Sequence, residues 1–405
     1  MMRQALITAL ALLATLSFGQ TAGTPAVTPE QEHAALFHVC DSLRCGYIDA
    51  NGKLTIALKF AGARGFSEGL AAVNVGGKSD KWGNATGGKW GYVDRTGTFV
   101  IKPQFDGAED FSEGLAAVNV GGNSGEFEGG IVAGGKWGYI DKTGNPVVNP
   151  QFAGARDFSE GLAAVNVGGE THSVFGVEGG KWGYIDKTGK LVIEPQFDKA
   201  EDLREGLAMV NVGAKSDTEG FFAGGKWGYV DKSGEFVVKP RFDDAKHFSE
   251  GLAAVNVGAK DKYGGAVGGK WGFVDATGKL VIERQFDETD DFHEGLAPVG
   301  LDGKEGYIDK TGEFVIKPRF GKAKHFSEGL AAVNVGGKLD EYGYGSVDGG
   351  TWGYVDKTGK LVIEPQSEEA NDFHEGLAPV GHGGNQGYID KTGKLVWKPS
   401  NLKND

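Results

Sequence analysis

The chain has 405 residues, a formal net charge of −13, 40% hydrophobic and 11% aromatic residues, and 70 glycines. That apolar content is enough for a core, so the chain is not of the disordered class, and glycine without a three-residue period excludes collagen. Acidic and basic residues are interspersed, with no basic stripe of the kind nucleic acid requires, and the negative charge reads as solubility.

Residues 1–19 read as a signal peptide. Arg3 supplies a positive start, Ala5 to Leu16 an apolar run, and Ser17-Phe18-Gly19 the small residues of a cleavage site. The run is too short to span a bilayer, which takes about 20 apolar residues. The expectation is an exported chain, periplasmic or extracellular, with no membrane span. Residues 20–35 read as a linker, 36–400 as a repeat array and 401–405 as a tail. The two cysteines, Cys40 and Cys45, are read as a disulfide closing a short loop, worth roughly 2 kcal/mol by loop entropy.

Repetition dominates the rest. Gly-aromatic-Ile/Val-Asp-x-x-Gly starts near 46, 91, 138, 183, 228, 272, 306, 353 and 387. Glu-Gly-Leu-Ala places its glycine at 69, 114, 161, 206, 251, 295, 329 and 376, always 23 residues after the first. The onward spacing ranges from 11 to 24. A constant spacer indicates packed strands, because a one-residue slip turns every side chain to the other face. A variable spacer indicates surface loops, where insertions are cheap.

Three strands per unit follow, as in Trp182-Gly183-Tyr184-Ile185-Asp186, then Leu191-Val192-Ile193, then Glu205 to Val210. Asp186-Lys187-Thr188-Gly189 is the first turn, and a compact turn around Phe197 and Asp198 follows the second strand. Both faces carry apolar groups, so the strands should be covered on both sides. The fold class read here is all-β, a tandem array of nine three-stranded units in an open superhelix or solenoid. A closed propeller-like ring is the alternative, with the N-terminal strand, Leu36 to Val39, completing the last unit. Nine blades exceed the usual four to eight, and 34-residue units leave little room for a fourth strand.

The recurring Lys-Trp-Gly-Tyr-Ile/Val-Asp-Lys-Thr-Gly-Lys-Leu-Val-Ile-x-Pro-Gln-Phe, followed by Phe-Ser-Glu-Gly-Leu-Ala-x-Val, resembles the WG-repeat family across roughly residues 36–400. The resemblance implies a repeat architecture with binding roles and no general reaction. The chain departs from the pattern at Cys45, Glu305 and Gln386, which stand in place of tryptophan, and at Ser367, which replaces a phenylalanine.

No constellation points to an enzyme. Glutamates such as Glu68, Glu113 and Glu160 recur in eight equivalent copies, whereas a catalytic pair needs one pocket with two differing environments. The histidines do not cluster in sequence, and no metal or cofactor motif is present. Calcium held by scattered loop carboxylates is a minor reading. The six long loops, at 76–88, 121–135, 168–180, 213–225, 258–269 and 336–350, are bounded by glycines and carry aromatics. Trp82, Phe127, Phe175, Phe222, Tyr263 and Tyr342 are the candidate ligand-binding residues. Each ring either packs on the tryptophan that follows its loop or stands in a row for multivalent binding. The function read here is a non-enzymatic secreted or periplasmic scaffold binding proteins through these loops. A module for cell-envelope glycan is the alternative.

Overall fold

A computed structural model describes residues 35–399 apart from 42, 80–83, 124–131, 173–175, 217–221, 263–264, 340–346 and 383–384. Every regular element in it is a strand. The strands form nine antiparallel sheets, spanning 36–60, 62–105, 107–152, 154–197, 199–242, 244–286, 288–320, 322–367 and 369–397, with two further two-stranded ladders on the hairpins of the second and eighth. We call the nine sheets blades 1 to 9.

Blades 2 to 9 hold four strands each, and blade 1 holds three. Blade 5 serves as the pattern, with Lys199–Arg204, Leu207–Ser216, Phe222–Asp231 and Phe236–Phe242 paired in that order. In blades 2 to 9 the first strand is innermost, and the first strand of blade 1, Leu36–Cys40, corresponds to their second. Successive first strands bond one another around the axis, as where Ser67 Oγ donates to Phe111 O and Ser112 Oγ to Phe158 O. The fourth strands lie outside and expose Val100, Val192, Val281 and Val362.

Each unit of the sequence thus starts on the third strand of one blade and ends on the second strand of the next. The three-stranded reading needs correction. The fourth strand is the short inner one, beginning directly after the Phe197-Asp198 turn. It escaped the pattern because a bulge between Ala200 and Leu203 breaks the alternation and because it is charged. Short units hold it as well. In blade 7 the room comes from a hairpin that pairs Leu301 with Lys304 across Asp302-Gly303.

Local chemistry accounts for the turns. Between inner and second strands, Glu205 (φ 53°) and Gly206 (φ 80°) both take the left-handed region, as a two-residue hairpin with a right-handed twist requires. Between third and outer strands, Gly189 N–H donates to Asp186 O at 2.9 Å, and Asp186 Oδ1 accepts from Thr188 N at 2.9 Å and Lys190 N at 3.1 Å. The glycine of each Trp-Gly pair is a close approach. A Cβ at Gly183 would sit 2.4 Å from Ile193 O of the outer strand.

The core lies between blades rather than within them. Leu162, Ala164, Tyr184, Ile193 and Phe197 of blade 4 pack on Ala200, Leu203, Ala208, Val210 and Val230 of blade 5. Both faces of a strand are covered because each blade has two neighbours. Tyr184 is fully buried and donates its hydroxyl to Glu201 O of the next inner strand at 2.8 Å. The same bond recurs from Tyr47, Tyr92, Tyr139, Tyr229, Tyr307 and Tyr354.

The array closes. Phe37, Val39 and Ile48 of blade 1 pack with Leu377 and Tyr388 of blade 9, and Tyr388 Oη donates to His38 O at 2.9 Å. The molecule is a nine-bladed ring, which corrects the open superhelix in favour of the closed alternative. Leu36–Cys40 pairs with Cys45–Asp49 as blade 1's counterpart of a second strand, so the N-terminal strand takes the place of the strand that the last unit, which starts on the third strand of blade 9, lacks. Cys40 and Cys45 are register partners there and are joined by a disulfide.

Candidate functional site

Antiparallel alternation puts the hairpins between second and third strands at one end of the ring, together with the crossings from outer to inner strands. We call this the hairpin face. The Glu-Gly and Asp-x-x-Gly turns occupy the opposite turn face.

On the turn face the recurring glutamates link blades. Glu160 carboxylate oxygens accept from Gly206 N at 3.0 and 3.2 Å and pair with Lys232 of blade 5 at 3.2 Å. Glu68, Glu113, Glu250, Glu294 and Glu328 do the same toward their neighbours. Burial pushes the Glu68 carboxyl up, but Lys142 and Gly114 N–H outweigh it and leave it below its ordinary value. The role is that of a clasp between blades.

On the hairpin face the six long stretches are extended hairpins. In blade 4 the second and third strands, Leu162–His172 and Gly176–Asp186, stay paired out to His172 and Gly176. Their bounding glycines, Gly168 (φ 83°) and Gly180 (φ 61°), bend the ladder where they lie side by side. Asn166, fully buried, satisfies the bend. Its Nδ2 donates to Gly179 O at 3.2 Å and its Oδ1 accepts from Gly169 N at 3.1 Å. Asn166 stands opposite Trp182, and all six tryptophans of the Trp-Gly pairs in long-hairpin blades face such an asparagine. Blades without the asparagine place Cys40 against Cys45, Gly300 against Glu305 and Gly381 against Gln386. The pairing was present in the sequence as the Asn of Val-Asn-Val, which occurs only where the tryptophan does.

The six candidate aromatics fare unevenly. Trp82, Phe127, Phe175, Tyr263 and Tyr342 lie outside the described residues. Phe222 begins the third strand of blade 5, but its side chain lies outside the described part. The hairpin stems are not wholly exposed. Ala85, Val132 and Ala214 are buried, which corrects the reading of the variable stretches as surface loops throughout.

Sequence reasoning passed over the inner strands. At the position after the inner alanine (Thr289 in blade 7), the residues are Arg64, Glu109, Arg156, Glu201, Lys246, Asp290, Lys324 and Asn371, so charge alternates from blade 2 to blade 8 and ends on a neutral amide. Neighbours pair as Arg64–Glu109 (2.8 Å), Arg156–Glu201 (2.6 Å) and Lys246–Asp290 (2.9 Å), and Lys324 donates to Asn371 Oδ1 at 2.6 Å. The next position carries Asp110, Asp157, Asp202, Asp291 and Asp372, each with one buried carboxylate oxygen lacking a hydrogen-bond partner. Burial, with Glu109, Asp202 and Asp110 nearby, pushes Asp157 up to about 7. Burial and Asp290 push Asp291 up to about 6. Burial and the cations Arg204, Arg156 and Lys246 push His247 down to about 4. The histidines are not all apart in space, because the rings of His293 and His325 from adjacent blades lie 4.4 Å apart.

One sector of the hairpin face is open. A cavity of about 470 Å³ is lined by Trp90, Trp137 and Trp182, with Arg64, Glu109, Arg156 and Thr171 among its other walls. Trp137 and Trp182 are half-buried, whereas Trp90, Trp227, Trp271 and Trp352 are buried. Here the inner strands begin with glycine. A Cβ at Gly107 would stand 3.2 Å from the Trp137 ring, and one at Gly154 would stand 2.9 Å from the Trp182 ring. Blades 5 to 9 begin instead with Lys199, Asp244, Glu288, Lys322 and Glu369. In blade 7, Glu305 fills the tryptophan position, is itself buried, accepts from Ala323 N at 2.6 Å and pairs with Lys322 at 2.9 Å.

These features define a nine-bladed β-propeller whose blades carry asparagine–tryptophan hairpins on one face. The chain belongs to the WG-containing repeat family, whose model matches residues 46–78, 90–123, 137–170, 182–215, 227–263, 271–304, 306–338 and 352–385. No curated protein matches it in sequence. Among solved structures, the crystal structure of a eukaryotic initiation factor is similar over 90% of this chain and 95% of that one, at 13% identity and a TM-score of 0.55. The likeness is one of fold. Apo AztD from Citrobacter koseri matches over 91% of this chain and 95% of its own, at 12% identity and a TM-score of 0.37. Among the described residues, no helix is long and apolar enough to cross a membrane.

Proposed function

We propose that this chain is an exported, non-enzymatic scaffold that binds a protein partner through the hairpin face of its propeller. The observation that carries the reading is the asymmetry between the two ends. The turn face spends its charged side chains on clasps between blades. The hairpin face carries six glycine-bent hairpin stems, each anchored by a buried asparagine and so a rigid base. Rigid presentation lowers the ordering cost of binding, and repeated weak contacts add by avidity. The export part rests on Arg3, the apolar run from Ala5 to Leu16 and the cysteine pair, since disulfides persist in oxidising compartments.

A photo-crosslinking residue placed at exposed Lys215 on a hairpin, or at exposed Asn51 on a turn, tests the reading in the producing cell. Crosslinks to one protein from position 215 and none from 51 are expected. Equal yields from both, or none from either, would contradict it. A second reading, a glycan module, is favoured by the two half-buried indoles on the cavity wall.

A further inference from the structure

We infer that the cavity over blades 2 to 4 is a binding site for a neutral pyranose, one or two rings of an oligosaccharide. The inference rests on the glycan reading and gives it a place and a ligand chemistry. Three observations carry it.

The first is shape. The cavity, about 470 Å³, falls within the roughly 300–1,000 Å³ that small-ligand sites span. It lies over blades 2 to 4, whose inner strands open with glycine, Gly62, Gly107 and Gly154. There the Trp137 and Trp182 rings lie against bare backbone instead of under a lysine or glutamate side chain.

The second is the exposed surface. An indole face is electron-rich, and the C–H face of a pyranose presents polarised hydrogens with no charge. Of the six tryptophans, Trp137 and Trp182 are the ones left half-buried, and both sit on this cavity.

The third is charge. The walls carry Arg64 and Arg156, but each is already paired, with Glu109 at 2.8 Å and Glu201 at 2.6 Å. The site is therefore close to neutral, which disfavours an anion or a cation. Fixed ion pairs still offer donors and acceptors side by side, as hydroxyls that both donate and accept require. The Arg156 guanidinium also stands 5.8 Å from the Trp182 ring. A proline-rich peptide also favours aromatic walls, but it would leave the interleaved donors and acceptors unmatched.

The test is titration of the full mature chain, followed by tryptophan fluorescence and calorimetry. The probes are tetrasaccharides of glucose, galactose and N-acetylglucosamine, with tetragalacturonate and a decaproline peptide as comparators. At least one neutral tetrasaccharide should bind. Trp137→Ala and Trp182→Ala should each weaken it about tenfold, equivalent to ~1.4 kcal/mol, while Trp227→Ala, at the buried counterpart in blade 5, should leave affinity unchanged. Arg156→Gln, which keeps every indole, should also weaken it and covers the case in which a tryptophan variant fails to fold. Binding of a neutral sugar that survives Trp137→Ala, Trp182→Ala and Arg156→Gln would overturn the assignment and leave the glycan reading standing elsewhere on the molecule. Binding of none of the neutral sugars, or of tetragalacturonate or decaproline in preference to them, would overturn both.

Discussion

Two sets of carboxylates in this protein respond to acid in opposite directions. Five clasp glutamates, Glu68, Glu113, Glu250, Glu294 and Glu328, are held low by their lysines and glycine N–H groups once burial is outweighed. Their contribution is present above the unfolded value near 4.5 and is lost as pH falls through the folded value. The axial aspartates are pushed up, Asp157 to about 7 and Asp291 to about 6. For a raised group the favourable contribution is complete below the unfolded value and disappears as pH rises through the folded one. The melting temperature should therefore rise as pH is lowered from 8 to about 5.5 and fall again below about 4.5. Asp157→Asn, which keeps the shape and removes the charge, should raise the melting temperature at pH 8 and raise it by about half as much at pH 5.5, the gain vanishing only near the unfolded value of 3.8. Thermal melts at the two pH values check this, and an unchanged value at pH 8 would show that the axial ring is not repulsive. None of this was legible in the sequence, because Asp157 became an axial residue only once the inner strand existed.

At the scale of the element, the strand pair built on Trp-Gly is a close backbone contact of the repeat. The carbonyl of Ile193 occupies the space a side chain would need at Gly183, so the outer strand can bond there only if the residue is glycine. Gly183→Ala should destabilise the protein by about 1–3 kcal/mol, as overpacking does. Tyr184→Phe should lose about 1 kcal/mol, the net worth of one hydrogen bond. Blade 6, which carries Phe273 at that position, should be indifferent to the hydroxyl. Urea denaturation of the two variants compares these values, and a harmless Gly183→Ala would contradict the close approach. Much of this element was legible. The 23-residue spacer, the Asp-x-x-Gly turn and the apolar groups on both faces all correspond to packed strands. The inner strand was not legible, because a bulge and a run such as Lys-Ala-Glu-Asp-Leu-Arg erase the two-residue period by which strands are recognised. The hairpin stems were misjudged for a related reason. Variable length marks where insertions are tolerated, and an insertion of two residues extends a ladder as readily as it lengthens a loop.

For the whole molecule, the sequence shows how many units there are but not whether they close. Closure depends on the angle between neighbouring blades, summed nine times, and no residue pattern encodes that sum directly. The closing contacts are ordinary ones, Phe37 and Val39 on Tyr388 and Leu377, with the Tyr388 hydroxyl on His38 O. They resemble those at every other junction except that blade 1 brings three strands to it. Functional asymmetry also appears only at this scale. Six hairpins share one face because the blades are arranged in a ring, and the cavity lies where three adjacent blades, 2 to 4, open their inner strands with glycine. Small-angle scattering of the mature chain tests the closed ring most directly. A ring of this size should give a radius of gyration of about 21 Å, the value for a compact body of some 370 residues, with a symmetric distance distribution. A radius well above about 30 Å with a rod-like tail would show that the blades form an open array.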